Sequence, residues 1–215
     1  MRLFLSSYRF GSHAESLVSL LGGRRAAIIE NALDGIHADM RARYRREVYD
    51  PVADFGSLGI AARLLDLRAY FGQPDALRTS LGEVDLVWVM GGNSFVLRRA
   101  MKQSGFDIVI RDMLDADTIA YGGFSAGAVV AGPSLRGLEL MDDPFELPDG
   151  YDEPPIWSGL GLTPFAIVPH YQSRHPEAAA AEKVVSYMRA RRTRFRAISD
   201  GEVIVQVGNL ERLAS

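Results

Sequence analysis

Tyr121-Gly122-Gly123-Phe124-Ser125-Ala126-Gly127-Ala128-Val129-Val130-Ala131 follows Asp117-Thr118-Ile119-Ala120, which reads as a buried strand, and runs on into small apolar residues that read as a buried helix. Ser125 therefore stands at a strand-to-helix turn. Gly123-x-Ser125-x-Gly127 has the form of a nucleophile elbow, in which flanking glycines let the backbone pass close to itself while a tight turn holds the hydroxyl out. Glycine and serine are common in loops. The motif gains meaning only if the chain also supplies the surrounding strands, a base, an acid and oxyanion donors.

Working outward, the strands are present. Leu3-Phe4-Leu5 and residues 25–30 and 61–67 read as strands. Val84-Asp85-Leu86-Val87-Trp88-Val89-Met90 is the strongest, a β-branched and aromatic run that stops at Gly91-Gly92-Asn93. Helical patterns over 15–21, 74–80, 95–102 and 108–114 separate them. This alternation predicts parallel βαβ units, hence an α/β fold of three layers, α/β/α, with a mostly parallel central sheet. Both glycine-bearing turns then fall at carboxyl ends of strands, where open sheets place their sites.

At 215 residues and 47% hydrophobic, the chain is expected to form one domain over 1–215. Residues 39–49 carry Arg41, Arg43, Arg45 and Arg46 and read as a helix with a solvated face. The acidic, proline-rich stretch 134–158 reads as a long surface loop and a candidate lid. An apolar segment over 161–168 leads into Pro169-His170-Tyr171, and a helix is expected over 176–189. Residues 197–205 read as two short strands around an Asp200-Gly201 turn.

The formal net charge of -3 argues against a nucleic-acid partner and favours a small substrate. No run approaches the ~18 apolar residues of a membrane helix, and the apolar start Leu3-Phe4-Leu5 is too short for a signal peptide, so the cytoplasm is the expected compartment. The absence of cysteine excludes a thiol nucleophile, a disulfide framework and a cysteine zinc site. The four histidines show no metal-ligand spacing, so neither metal nor cofactor is expected.

A serine hydroxyl needs a base within hydrogen-bond reach, itself oriented by a third group. Among His13, His37, His170 and His175, His170 is placed best, emerging after a buried run and a proline; His175, in an Arg-His-Pro context, reads as a surface residue. Asp200 and Glu202 both stand where a carboxylate could orient an imidazole, and spacing does not choose between them. The N–H of Ala126 and a backbone N–H from the Gly91-Gly92-Asn93 turn are the natural donors to an oxyanion, with Asn93 also able to cap the next helix.

Four stretches, Val89-Met90-Gly91-Gly92-Asn93-Ser94-Phe95, Gly123-Phe124-Ser125-Ala126-Gly127-Ala128, Leu162-Thr163-Pro164-Phe165-Ala166-Ile167-Val168-Pro169-His170-Tyr171 and Ser199-Asp200-Gly201, fall in the order seen in the peptidase E family, the cytoplasmic aspartyl dipeptidases. The chain resembles that family from about Leu3 onward. The resemblance implies a fold similar to class I glutamine amidotransferases, flavodoxin-like in its layering. It implies Ser125 as nucleophile, His170 as base and Asp200 as acid, with Gly92 and Ala126 as oxyanion donors. Chain order agrees, since an α/β-hydrolase would draw its acid from between Ser125 and His170.

The family's recognition of an N-terminal aspartate implies an arginine after the histidine, and Ala181 stands in that place. A methyl group does not replace a bidentate arginine–carboxylate contact. The expected activity is therefore a serine exopeptidase for short peptides, acting through an acyl-enzyme on Ser125, with a preference other than N-terminal aspartate. Asn93, Tyr171 and Arg174 are the expected substrate-binding residues. The rivals are an aspartyl dipeptidase proper, a non-catalytic binder of peptides or small ligands, and an amide hydrolase of polymers as in the related cyanophycinases. The chain also allows for a homo-oligomer.

Overall fold

The computed structural model describes residues 1–151, 154–208 and 210–214. Its strands are β1 (Arg2–Ser6), β2 (Arg25–Ile29), β3 (Ala61–Leu64), β4 (Leu86–Val89), β5 (Ala120–Phe124), β6 (Ala166–Val168), β7 (Phe195–Ala197), β8 (Val203–Val207) and β9 (Leu210–Ala214). The helices are α1 (Ala14–Ser19), α2 (Ala38–Glu47), α3 (Pro51–Ser57), α4 (Pro74–Leu81), α5 (Ser94–Gln103), α6 (Phe106–Asp115), α7 (Ala126–Val129) and α8 (Ala178–Ala190).

Seven strands form the central sheet in the order β3-β2-β4-β5-β1-β8-β9. The first five are mutually parallel, and β8 and β9 run antiparallel at one edge. Counted from β2, the order reproduces the 2-1-3-4 part of the flavodoxin arrangement, and the chain's first strand fills the fifth place. Alternation along each strand divides the core into two layers. Leu3, Leu5, Ala27, Ile29, Val87, Val89 and Tyr121 pack beneath α4, α5 and α6. Phe4, Ala26, Ile28, Leu86, Trp88 and Phe124 pack beneath Leu17 of α1 and Phe55 of α3.

Three expectations change. Strand β5 starts at Ala120 and runs to Phe124, so the elbow's first glycine belongs to the strand and Ser125 alone separates it from α7. Residues 197–205 do not form a hairpin. Instead β7 pairs in parallel with β6 in a separate two-stranded sheet, while β8 pairs with β1, so the Asp200-Gly201 turn carries the chain from one sheet to the other.

Within the acidic stretch, residues 142–146 are strapped to α5 and its cap rather than lid-like. Asp142 accepts from the Ser94 N–H at 2.9 Å, Asn93 Nδ2 donates to Asp143 O at 2.8 Å, and Arg99 donates to Pro144 O at 2.7 Å and Glu146 O at 2.9 Å. Asp152 and Glu153, part of that acidic pattern, lie outside the described residues.

Candidate active site

The carboxyl ends of β1, β4 and β5 converge on Ser125, between β5 and α7. Its backbone sits at φ 48°, ψ -117°, a conformation that costs a residue with a side chain on the order of 1–3 kcal/mol and persists only where the surroundings enforce it. Here they do. The Ser125 N–H donates to the Ser6 and Ser7 carbonyls at 3.3 and 3.1 Å. On the far side of the turn, α7 lies so close to β4 that a Cβ on Gly127 would come within 2.2 Å of Val89 O.

The Ser125 hydroxyl lies 3.1 Å from His170 Nε2, and His170 Nδ1 lies 2.8 Å from Asp200 Oδ1. His170 is fully buried. Of the two carboxylates that the sequence left open, Asp200 faces the imidazole, whereas Glu202 accepts the Ser199 N–H at 2.6 Å and closes the turn. Burial pushes the His170 pKa below the ordinary histidine value; the Asp200 hydrogen bond opposes that shift and the nearby His175 adds to it.

Ser7, which nothing in the sequence singled out, completes the arrangement. Its buried hydroxyl donates to Asp200 Oδ1 at 2.7 Å and accepts the His170 N–H at 2.7 Å. The Asp200 N–H is in turn held by Ser173 Oγ at 2.7 Å. One hydroxyl thus fixes both the imidazole's backbone and the carboxylate that orients it.

Gly92 lines the same cleft as Ser125, and Ala126 follows the serine directly. Gly92 adopts φ 134° and passes so near Ala32 that a Cβ would meet its carbonyl oxygen at 2.5 Å, so only glycine brings this backbone to the cleft. Ala126 is the first residue of α7, and its N–H lies outside the helical hydrogen-bond ladder.

A cleft of about 340 Å³ opens over the serine, lined by Ser125, His170, Gly91 and Gly92 and walled by Tyr8, Leu33, Ile36, Met40, Tyr44 and Phe124. His175 also lines it, contrary to its expected surface role. Left-handed backbone at His170 and Gln172 folds the loop back on itself, stacking the His175 ring on that of His170. Glu177 follows, with Oε2 3.7 Å from His170 Nε2 and 3.9 Å from His175 Nδ1.

These three residues could hold a metal ion, since one ligand atom from each lies within 4.8 Å of the others. The sequence spacing had suggested no such cluster. An ion there would compete with Ser125 for His170 Nε2.

The three expected substrate-binding residues are not among those lining the cleft. Asn93 caps α5, accepting from the Phe95 and Val96 N–H groups, and its amide donates to Glu146. Tyr171 packs against the apolar cluster beneath α8, and Arg174 is exposed. Ala181 is likewise buried in that cluster, away from the cleft wall. On the arginine helix, Arg43 and Arg46 are exposed, in keeping with the expected solvated face, while Arg41 and Arg45 are partly covered. Arg41 lines the cleft and is paired with the buried Asp34, and Arg45 lies 3.6 Å from Glu30.

A model of peptidase family S51 matches residues 40–212. A peptidase E of Streptomyces coelicolor is 35% identical over 157 residues, covering 73% of this chain and 55% of its own. An uncharacterized peptidase of Listeria monocytogenes is 31% identical over 133 residues, covering 60% of each chain. The chain thus spans little more than half the length of these curated relatives. A crystal structure from Listeria monocytogenes, described as a candidate peptidase E, superposes with a TM-score of 0.78 at 24% identity over 99% of this chain and 97% of that one, a likeness of fold. No helix among the described residues is long and apolar enough to cross a membrane.

Proposed function

The chain belongs to peptidase family S51, and from that premise we propose that it is a serine exopeptidase that cleaves short peptides through an acyl-enzyme on Ser125. The observation that carries this reading is the continuous chain from the Ser125 hydroxyl through His170 to Asp200, at 3.1 and 2.8 Å. His170 Nε2 takes the hydroxyl proton as Oγ attacks the scissile carbonyl. Asp200 holds the Nδ1 proton and stabilises the imidazolium, and the Gly92 and Ala126 N–H groups receive the oxyanion. His170 then gives its proton to the departing amine. Water, deprotonated by the same imidazole, releases the acyl group from the ester.

Glu177 supports the exopeptidase reading. Its carboxylate lines the cleft within a few ångströms of the reacting groups, where it matches the ammonium of a free amino terminus and repels a free carboxylate. The pairing of Arg41, the one arginine lining the cleft, with Asp34 supports a preference other than N-terminal aspartate. A cysteine-free chain suits the cytoplasm as its compartment.

A fluorophosphonate probe followed by intact-mass and peptide mapping, alongside free and amino-blocked di- to tetrapeptides, tests the reading. The expected result is one adduct on Ser125, hydrolysis of free peptides, little turnover of amino-blocked ones, and loss of both labelling and turnover in Ser125→Ala. Peptide hydrolysis by the alanine variant refutes it.

A further inference from the structure

Beside its arginines, α2 carries an apolar side that faces the cleft. Met40 and Tyr44 lie one turn apart on α2, and Ile36, in the bend just ahead of the helix, lines the same cleft. All are exposed, at 59%, 40% and 46%, and none of the helix's residues is buried. Helix α2 is held instead by ion pairs, Arg41 to Asp34 and Arg45 to Glu30. Its arginines anchor it while its apolar side faces the cleft, where Tyr8, Leu33 and Phe124 form the opposite wall.

We propose that this trough, Ile36, Met40 and Tyr44 against Tyr8, Leu33 and Phe124, is the subsite for a large apolar side chain on the amino-terminal residue of the substrate. The inference rests on the peptidase reading above and names its substrate class. The trough is continuous with Ser125 and Gly92, so its occupant is whatever the serine attacks. Glu177 lines the same cleft and draws in the ammonium end, and in a dipeptide the residue bearing the ammonium is also the acyl donor; its side chain therefore falls against the apolar wall. Among the described residues lining the cleft, Arg41 is the one guanidinium and it is already paired with Asp34, so the lining offers an aspartate side chain no unpaired arginine. A volume of about 340 Å³ lies at the small end of the roughly 300–1,000 Å³ of ligand pockets, suited to one or two residues.

The test uses free dipeptides with Leu, Phe, Met, Ala, Asp or Lys first, and p-nitrophenyl esters from acetate to hexanoate. The intact protein and its Met40→Asp and Ile36→Asp variants are compared, with sedimentation of each. Both positions are solvent-exposed, so the variants are expected to fold. The unaltered chain is expected to favour Leu, Phe and Met over Asp by about ten-fold or more in kcat/KM, and to turn over esters faster as the acyl chain lengthens. Met40→Asp is expected to remove most of both preferences without changing the sedimenting mass. Inert peptides with a rising ester series, flattened by Met40→Asp, remove the peptidase reading and leave the apolar subsite standing. Equal rates across the series, a preference for Asp, or a variant that alters only the oligomeric state, as when a second copy covers α2, overturns the subsite.

Discussion

The imidazoles of His170 and His175 lie face to face, their centroids 3.7 Å apart and their planes 11° from parallel. Two stacked imidazoles resist carrying charge together, so His175 works with burial to keep His170 neutral, against the pull of Asp200. A neutral His170 is the form that accepts the serine proton. Activity is therefore expected to fall as pH drops through a His170 pKa below the ordinary 6.5. His175→Gln removes the repulsion, and the acid limb of kcat/KM should move upward. Asp200→Asn removes the opposing influence, so the limb should move down while kcat falls by roughly 10³–10⁴. A pH–rate profile of the three proteins checks both signs, and an unmoved limb in His175→Gln counts against the coupling.

Ser7 touches no substrate in the proposed mechanism, yet it holds both Asp200 and the backbone of His170. Ser7→Ala leaves a buried N–H unpaired and frees the carboxylate to rotate, at a cost of about 1–3 kcal/mol. The expected outcome is a fall in kcat of roughly 10- to 100-fold with KM nearly unchanged. Ser7→Thr, which keeps the hydroxyl, should recover part of the loss, and steady-state kinetics on all three proteins separates this from a general loss of folded enzyme.

The strain at Ser125 yields a prediction on stability rather than rate. Glycine tolerates φ 48°, ψ -117° without the cost borne by a side chain. Ser125→Gly should therefore be inactive but more stable by roughly 1 kcal/mol after glycine's own entropic cost, a rise of about 2–4 °C in Tm for a chain of this size. Ser125→Ala keeps its Cβ and should show no such gain. Thermal unfolding of the two inactive variants side by side reads the strain directly.

What could be read from sequence was local. A β-branched strand ending in Gly91-Gly92, a serine between two glycines and a histidine after a buried run each carry their geometry within a few residues. Ser7 could not be recognised, because its role depends on β1 lying beside β5 and β8 in space. His175 was missed because two left-handed residues reverse the loop, and residue type alone does not reveal that. The partners of β7 and β8 were misread for a related reason: the two flank an Asp-Gly turn, but β7 pairs with β6, and β8 lies between the distant β1 and the adjacent β9. On α2 the arginines dominated the pattern, concealing an apolar side whose exposure has meaning only once the cleft beside it is seen.

Asp142 connects the strapped acidic loop to pH. Its carboxylate accepts the Ser94 N–H at the start of α5, and burial pushes its pKa up to about 6, with the nearby Glu177 and Glu146 acting in the same direction. The folded protein therefore binds a proton that the unfolded chain, with a carboxylate near 3.8, releases sooner. Stability from this group is fully present below about pH 4 and is lost as pH rises through about 6, by on the order of 2–3 kcal/mol. Asp142→Asn keeps an oxygen to accept the Ser94 N–H but cannot ionise. Between about pH 5 and about pH 7.5, the unaltered protein should lose more stability than the variant, whose curve lacks this contribution. Denaturant unfolding of both proteins at the two pH values measures the difference, and parallel curves would show that Asp142 stays charged throughout.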